Sequence, residues 1–420
     1  MKATPPDPVV CDYDPASLDA DEALRRILAR VAPVTQTETL PVRESLGRIL
    51  AEDIISQAPV PAHTNSAVDG YAVLGADLPG DTPAVYTNVG TAFAGRPYQG
   101  GVARGETVRI MTGAPVPPEC DTVIMQEDVE IDETMVRYAG GVRPGDNVRA
   151  AGEDIKAGDT VLTRGRHINA ADLGLIASLG IGTVQVFRRL KIAYFSTGDE
   201  LRSIGETLGP GDIYDSNRYT LYGMLATLGV EINDLGVVRD TPEALRAAFD
   251  DAVSDADVLI TSGGVSVGEA DFVRQILDER GQVGFWKVAM KPGRPLAFGN
   301  IGSTWFFGLP GNPVSVMVTF YQFVLPALKA MMGAATASTL TCRAITTGRL
   351  KKRPGRTEYQ RGVLGRDADG NLTVTHTGDQ GSGILTSMSQ ADCFIVLPTD
   401  LDGVPAGAWV DVQPFAGLVG

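Results

Sequence analysis

Three short stretches carry residue types that suit the handling of an anion beside a cation. They are STGDEL (Ser196 to Leu201), TSGGVSVGEADF (Thr261 to Phe272) and GLPGNPVSV (Gly308 to Val316). In the middle stretch, Gly263 and Gly264 permit a turn whose backbone N–H groups face a ligand, and Thr261, Ser262 and Ser266 add hydroxyls. Gly268, Glu269 and Asp271 follow where a helix should begin, so backbone donors and the helix dipole together favour a phosphate. A plain tight turn would explain the glycine pair alone; the flanking hydroxyls and acids favour binding. In GNP, Asn312 fits an N-cap and Pro313 the first helical position.

Acids gather at the same places: Asp199, Glu200, Asp240, Glu269 and Asp271. Any one of them alone is an ordinary solvated charge. Several carboxylates beside a phosphate turn commonly hold Mg2+ through a few oxygens and waters. Cations come from KVAMKPGRP, with Lys287, Lys291 and Arg294, and from GRTEYQRG, with Arg356 and Arg361. In a chain of net charge -15 these clusters are candidate anion receptors. His63, His167 and His376 are far apart in sequence, so no His cluster supports zinc or a catalytic His. There is no Walker A motif, no GxGxxG after a strand and no GxSxG elbow.

The elements expected to position these residues alternate in type. Over residues 188–335 the strands KIAYFST, EINDLGVV and DVLITSGG each precede a helical stretch, and VGFWKVA, PLAFGN and TWFFGL are further strands. This predicts βαβ units, a mostly parallel sheet and a ligand beyond the strands' carboxyl ends, with all three loops on one edge. Residues 59–147 break into short runs separated by Gly and Pro and predict an inserted β-rich domain. The segments 16–58 and 148–187 flank it and form an N-terminal mixed α/β domain, with helices at LDADEALRRILARV and INAADLGLIASLGI. Residues 339–418 return to short strands without a convincing helix, which predicts a C-terminal β-barrel or sandwich. The architecture expected is multidomain α/β plus β.

The bulk properties limit the partners. The acidic balance argues against nucleic acid bound on a broad basic face. Four cysteines without a CxxC pair fit a reducing compartment and no disulfide framework. The first residues, MKATPPDPVVCDYD, lack an apolar signal core. The apolar stretch Pro313 to Met332 is interrupted by Gln322, Pro326 and Lys329 and reads as a buried helix. The expectation is a cytoplasmic enzyme with no membrane partner. The residues alone name no substrate.

NSAVDGYAV (65–73), MTGAPVP (111–117), GEDI (152–155), STGDEL, TSGGVSVGEADF, KVAMKPGRP and GLPGNPVSV occur in the order seen in the MoeA family. The chain resembles these molybdopterin molybdenumtransferases, relatives of the gephyrin E domain, from about Leu18 onward. SGGVS is shared with molybdopterin adenylyltransferases; its combination with NSAVDGYAV and KPGRP is more specific. The resemblance implies insertion of molybdenum from molybdate into adenylated molybdopterin with release of AMP, a Mg2+ cofactor and a homodimer. It implies contacts with other cofactor-biosynthesis proteins and acceptor molybdoenzymes.

Carried over by position, the resemblance makes Asp69, Glu200, Asp240, Asp271, Lys287 and Lys291 catalytic, with Glu200, Asp240 and Asp271 holding the metal. It places Thr112, Ser196, Thr197, Gly198, Ser262, Gly263, Gly264, Ser266, Pro292, Asn312, Arg361 and Ser382 around the substrate, and Asp154 beside Asp69 and Thr112. Two other readings stand beside it: an adenylyltransferase, which would not need residues 1–180 or 339–420, and a gephyrin-like scaffold, which could lose the acids and lysines.

Overall fold

The computed structural model describes residues 16–80, 82–264, 272–335 and 339–415. Ser266, Glu269 and Asp271 lie outside the described residues. Contacts divide the chain into two compact units, one of residues 39–46 and 50–185, the other of residues 1–38, 47–49 and 186–420.

The first unit contains a six-stranded sheet, in spatial order Thr122–Met125, Gly70–Val73, Glu106–Ile110, Ala84–Ala92, Met135–Tyr138 and Val129–Asp132. Successive residues of Gly70–Val73 alternate between its two faces. Tyr71 and Val73 pack with Tyr86, Ile124 and Tyr138, while Ala72 packs with Val108, Ile110 and Val123. Gly70 is required by close approach, since a Cβ there would sit 2.1 Å from the Ile124 carbonyl oxygen. The helix Ala170–Ser178 opens on a capping box between Asn169 and Asp172.

The second unit holds the βαβ region. Its strands are β1 (Lys191–Thr197), β2 (Glu231–Val238), β3 (Val258–Ser262), β4 (Gly281–Lys287), the two-residue β5 (Met290–Lys291), β6 (Pro295–Ile301) and β7 (Thr304–Leu309). The sheet runs β2-β1-β3-β7-β6-β4. The first four of these are parallel, and β6 and β4 extend the sheet antiparallel. Helices α1 (Ser216–Ala226), α2 (Pro242–Asp255) and α3 (Phe272–Arg280) connect them.

The inner parallel strands β1, β3 and β7 are buried on both faces, as their apolar composition requires, while the edge strand β2 is partly exposed. Ile192, Tyr194, Val258, Ile260 and Phe307 join one core, and Ala193, Phe195, Leu259 and Phe306 the other.

The helical stretch α4 (Pro313–Met331) is long and apolar enough to cross a membrane, with a mean hydropathy of 1.4, but 67% of it is buried in the protein. It is a core helix, as its interruptions predict. It widens into a π turn over Phe320–Val324, just before Pro326, which has no amide to continue the regular ladder.

The C-terminal strands are β8 (Cys342–Thr346), β9 (Thr357–Arg366), β10 (Leu372–His376), β11 (Cys393–Leu397) and β12 (Trp409–Pro414). They run β9-β10-β8-β12-β11, and β11 returns to pair with β9, so the sheet closes as a five-stranded barrel. Contrary to the sequence reading, this region contains a helix, α5 (Leu385–Gln390). Six residues are too few to show a helical period. Strand β5 pairs in parallel with the start of β9, Met290 beside Thr357 and Lys291 beside Glu358.

Candidate active site

The strands that carry the three loops do end on one edge. Parallel pairing sets Ser196 at the end of β1 beside Ser262 at the end of β3, and Ser262 beside Leu309 at the end of β7. A cavity of about 880 Å3 opens there, bounded on the far side by Arg356 and by Gln380 to Ser382 of the barrel region. Of the expected residues it is lined by Thr197, Gly198, Glu200, Asp240, Ser262, Gly263, Gly264, Lys291, Pro292, Asn312 and Ser382.

The turn after β3 is set by glycine. Gly263 and Gly264 have φ of 89° and 67°, and a Cβ on Gly263 would lie 2.3 Å from the Thr197 carbonyl oxygen. The Gly263 amide, however, donates to the Leu309 carbonyl at 3.1 Å. It is not free for an anion, which corrects the expectation for that residue. A Cβ on Gly198 would meet a Glu200 carboxylate oxygen at 2.7 Å, so the Glu200 carboxylate lies directly over this glycine.

The acids at this edge repel one another. Burial raises the carboxyl of Asp240 above its ordinary range, and the charges of Asp199 and Glu200 add to the rise. Across the cavity, Lys291 places its ammonium 3.4 Å from Glu358. Lys287, exposed at the end of β4, is not among the cavity-lining residues.

Asn312 corrects a second expectation. It occupies the N-cap position of α4 but makes no capping bond. Its side-chain amide donates instead to the Ser382 hydroxyl at 3.1 Å, and the Val314 amide donates to the Ser382 carbonyl at 3.0 Å. The GNP loop is thereby tied to the loop before α5.

Arg361 lies behind that loop and does not line the cavity. It is 1% exposed, donates to the Ser387 hydroxyl and the Gly381 carbonyl, each at 3.0 Å, and burial lowers its guanidinium to about 10. Ser196 is also beneath the surface, its hydroxyl donating to Asp215 at 3.1 Å.

Among the lining residues that escaped the sequence reading are Asp215 and Asn217. Asp215 caps α1 by accepting from the Arg218 amide at 3.1 Å. Asn217 donates to the Ser262 hydroxyl at 2.8 Å and the Gly311 carbonyl at 2.7 Å, which joins the start of α1 to the loops after β3 and β7. Its Oδ1 and the Thr197 hydroxyl are buried without a hydrogen-bond partner. Such atoms are costly unless a ligand uses them. The signal was present as D-S-N, but it reads as a simple helix cap.

Asp69 and Thr112 belong to the other compact unit. One oxygen of Asp69 accepts both the Thr112 amide, at 2.8 Å, and its hydroxyl, at 2.7 Å. These bonds hold the Asp69 carboxyl below its ordinary range. Asp154 is exposed in the same unit.

Fold and site together define a multidomain enzyme architecture: an α/β domain with a polar edge facing a closed barrel, and a separate β-rich unit. Three family descriptions match in series: the MoeA N-terminal region, domains I and II, over residues 18–180; a probable molybdopterin binding domain over residues 193–330; and the MoeA C-terminal region, domain IV, over residues 343–415. The chain belongs to the MoeA family. It is 44% identical over 405 residues to the molybdopterin molybdenumtransferase of Haemophilus influenzae, covering 96% of this chain and 100% of that one. It is 35% identical to gephyrin of Dictyostelium discoideum over 93% of this chain and 61% of that one. The crystal structure of the molybdopterin biosynthesis moeA protein from Pyrococcus horikoshii OT3 superposes with a TM-score of 0.84 at 28% identity, covering 95% of this chain and 100% of that one.

Proposed function

We propose that this protein is a molybdopterin molybdenumtransferase that moves molybdenum from molybdate onto adenylated molybdopterin and releases AMP. The observation that carries the reading is one cavity with carboxylates (Glu200, Asp240) at the sheet edge and a cation (Lys291) at the barrel side. The likeness to the Haemophilus influenzae enzyme supports it over nearly the full chain.

Molybdate is a dianion, and Lys291 offers ammonium donors that suit it. Ser382, held by Asn312, adds a hydroxyl on the same side. The unpartnered Thr197 hydroxyl and Asn217 carbonyl would take up donors and acceptors of the pterin nucleotide. The phosphate link would lie along the sheet edge, beside Gly264.

The donor chemistry fits Mg2+. Asp240, pushed up by burial and by neighbouring acids, is relieved by a divalent cation. Among the described residues no group of three or more His, Cys, Asp or Glu encloses a metal. Glu200 and Asp240, with Asp271 as the third acid of the proposal, would hold it, with phosphate oxygens and water completing the shell. Bound there, Mg2+ would neutralise phosphate charge during cleavage. The proposal includes a cytoplasmic homodimer, which sedimentation at several concentrations would test, and contacts with acceptor molybdoenzymes.

The purified protein is to be mixed with adenylated molybdopterin, Mg2+ and molybdate. AMP release that requires molybdate, with a metallated pterin formed, is the expected result. Binding without turnover would overturn the reading in favour of a gephyrin-like scaffold, and adenylate synthesis from ATP and free pterin would favour an adenylyltransferase.

A further inference from the structure

Lys291 stands in the wall between two cavities. It lines the 880 Å3 cavity described above and also a second one of about 450 Å3, which Glu358, Arg349, Lys351 and Arg353 line as well. A lysine on a flexible stem can place its charge on either side of such a wall. Something must choose the side.

The pairing of β5 with β9 supplies the answer. Parallel register sets Lys291 beside Glu358, and the Thr357 amide locks the junction by donating to the Ala289 carbonyl at 2.9 Å. The Glu358 side chain is only 5% exposed, against 49% for Lys291. A carboxylate so deeply buried requires cationic and hydrogen-bonding partners. One oxygen lies 3.4 Å from the Lys291 ammonium, and the other accepts from the Gln360 amide at 3.0 Å. Gln360 is two residues along β9, hence on the same face, and also donates to the Lys351 carbonyl at 2.8 Å. Glu358 is thus fixed from behind.

We infer that Glu358, which lines the second cavity and is braced by Gln360, is the positioning residue that anchors the Lys291 ammonium in the wall between the two cavities and keeps it within reach of the active one. An ammonium has three donors. With one directed at Glu358, the other two stay available to an oxyanion, and the stem loses its freedom to turn away. Glu358 touches no reacting atom; it acts through Lys291.

The kinetic consequence rests on the molybdenumtransferase reading; the positional claim does not. The first test is therefore spectroscopic. The full-length protein is reductively methylated with a 13C label, and the Lys291 resonance is assigned by its absence in Lys291→Arg. Glu358→Gln is expected to move that resonance; an unmoved resonance in the folded variant overturns the inference. Should Glu358→Gln not fold, Gln360→Met, which frees the far oxygen, is expected to move it in the same direction, and no movement overturns the inference equally.

The second test is a double-mutant cycle. Glu358→Gln is expected to lower kcat/KM for molybdate about tenfold, and less than about twofold when Lys291 is already alanine. Glu358→Asp should recover part of the loss. An equal loss in both backgrounds would show that Glu358 does not act through Lys291. If the unmodified protein releases no AMP on molybdate addition, the functional reading fails while the resonance shift still decides the position of Lys291.

Discussion

Asp69 and Asp240 are both acids that the MoeA resemblance marks as functional, and their surroundings push them in opposite directions. Asp69 is satisfied by its own unit: the Thr112 amide and hydroxyl both donate to it and hold its carboxyl low. Asp240 is partly buried near Asp199 and Glu200, and its carboxyl is raised. A carboxylate whose charge is supported by its own fold is ready as it stands. One whose charge is opposed by the fold needs a cation from outside. The polar groups around Asp69 satisfy one another, whereas at the α/β edge the Thr197 hydroxyl and the Asn217 Oδ1 are buried without a hydrogen-bond partner.

The sharpest way to break this contrast is Asp240→Asn. We expect a loss of AMP release of about a hundredfold or more at saturating Mg2+. Stability should move the other way. Because the folded-state value of Asp240 is raised, the folded protein binds the proton more tightly than the unfolded chain does. Stability therefore declines as pH rises from the unfolded value through the folded one, and Asn removes that decline. Melting curves from about pH 4 to pH 7 should show the variant equal or superior at the upper end. Mg2+ should raise Tm in the parent and not in the variant. An Mg2+ response retained in Asp240→Asn would end the claim that this acid holds the cation.

Gly263→Ala tests the part of the edge that does serve the fold. The positive φ and the close Thr197 carbonyl leave no room for a methyl group. We expect a destabilisation of about 2 kcal/mol, read by urea unfolding, with a matching loss of activity. A stable but inactive variant would mean that the turn makes its contribution through the ligand alone.

How much of this was legible in the sequence follows from what each signal depends on. The common edge of the three loops could be read because alternating strands and helices force parallel strands, whose carboxyl ends must align. The closed barrel was only half visible, since closure depends on the pairing of β11 with β9, which no local pattern records. The helix Leu385–Gln390 was missed for its brevity. Asn312 was read as a cap and Asn217 went unread for a shared reason. Each sits where a helix begins, and sequence cannot tell an asparagine that caps a helix from one that reaches a neighbouring loop. Glu358 was hidden within a strand, its meaning supplied only by the register of β5 against β9.

Asn312→Ala separates those two roles. The helix has no side-chain cap bond to lose, so stability should fall by under about 0.5 kcal/mol, where a true cap would cost about 1 kcal/mol. Activity should fall about fivefold because Ser382 loses its tether, which corresponds to one ordinary hydrogen bond. A stability loss of full cap size, with activity intact, would return Asn312 to a structural role.

The smallest effect belongs to the satisfied acid. Thr112→Val removes the hydroxyl that donates to Asp69 and keeps the amide that does the same. The Asp69 carboxyl should rise towards its ordinary value, as carboxylate NMR titration would show. A depressed folded-state value contributes stability above the unfolded value, and that contribution is lost as pH falls through the folded one. The parent should therefore exceed the variant slightly near neutral pH, and the two should converge in acid. Because Asp69 is solvent-accessible, screening keeps the difference small. If Asp69 instead titrated unchanged in Thr112→Val, the amide alone would account for its low value, and the contrast with Asp240 would rest on backbone geometry and not on the threonine side chain.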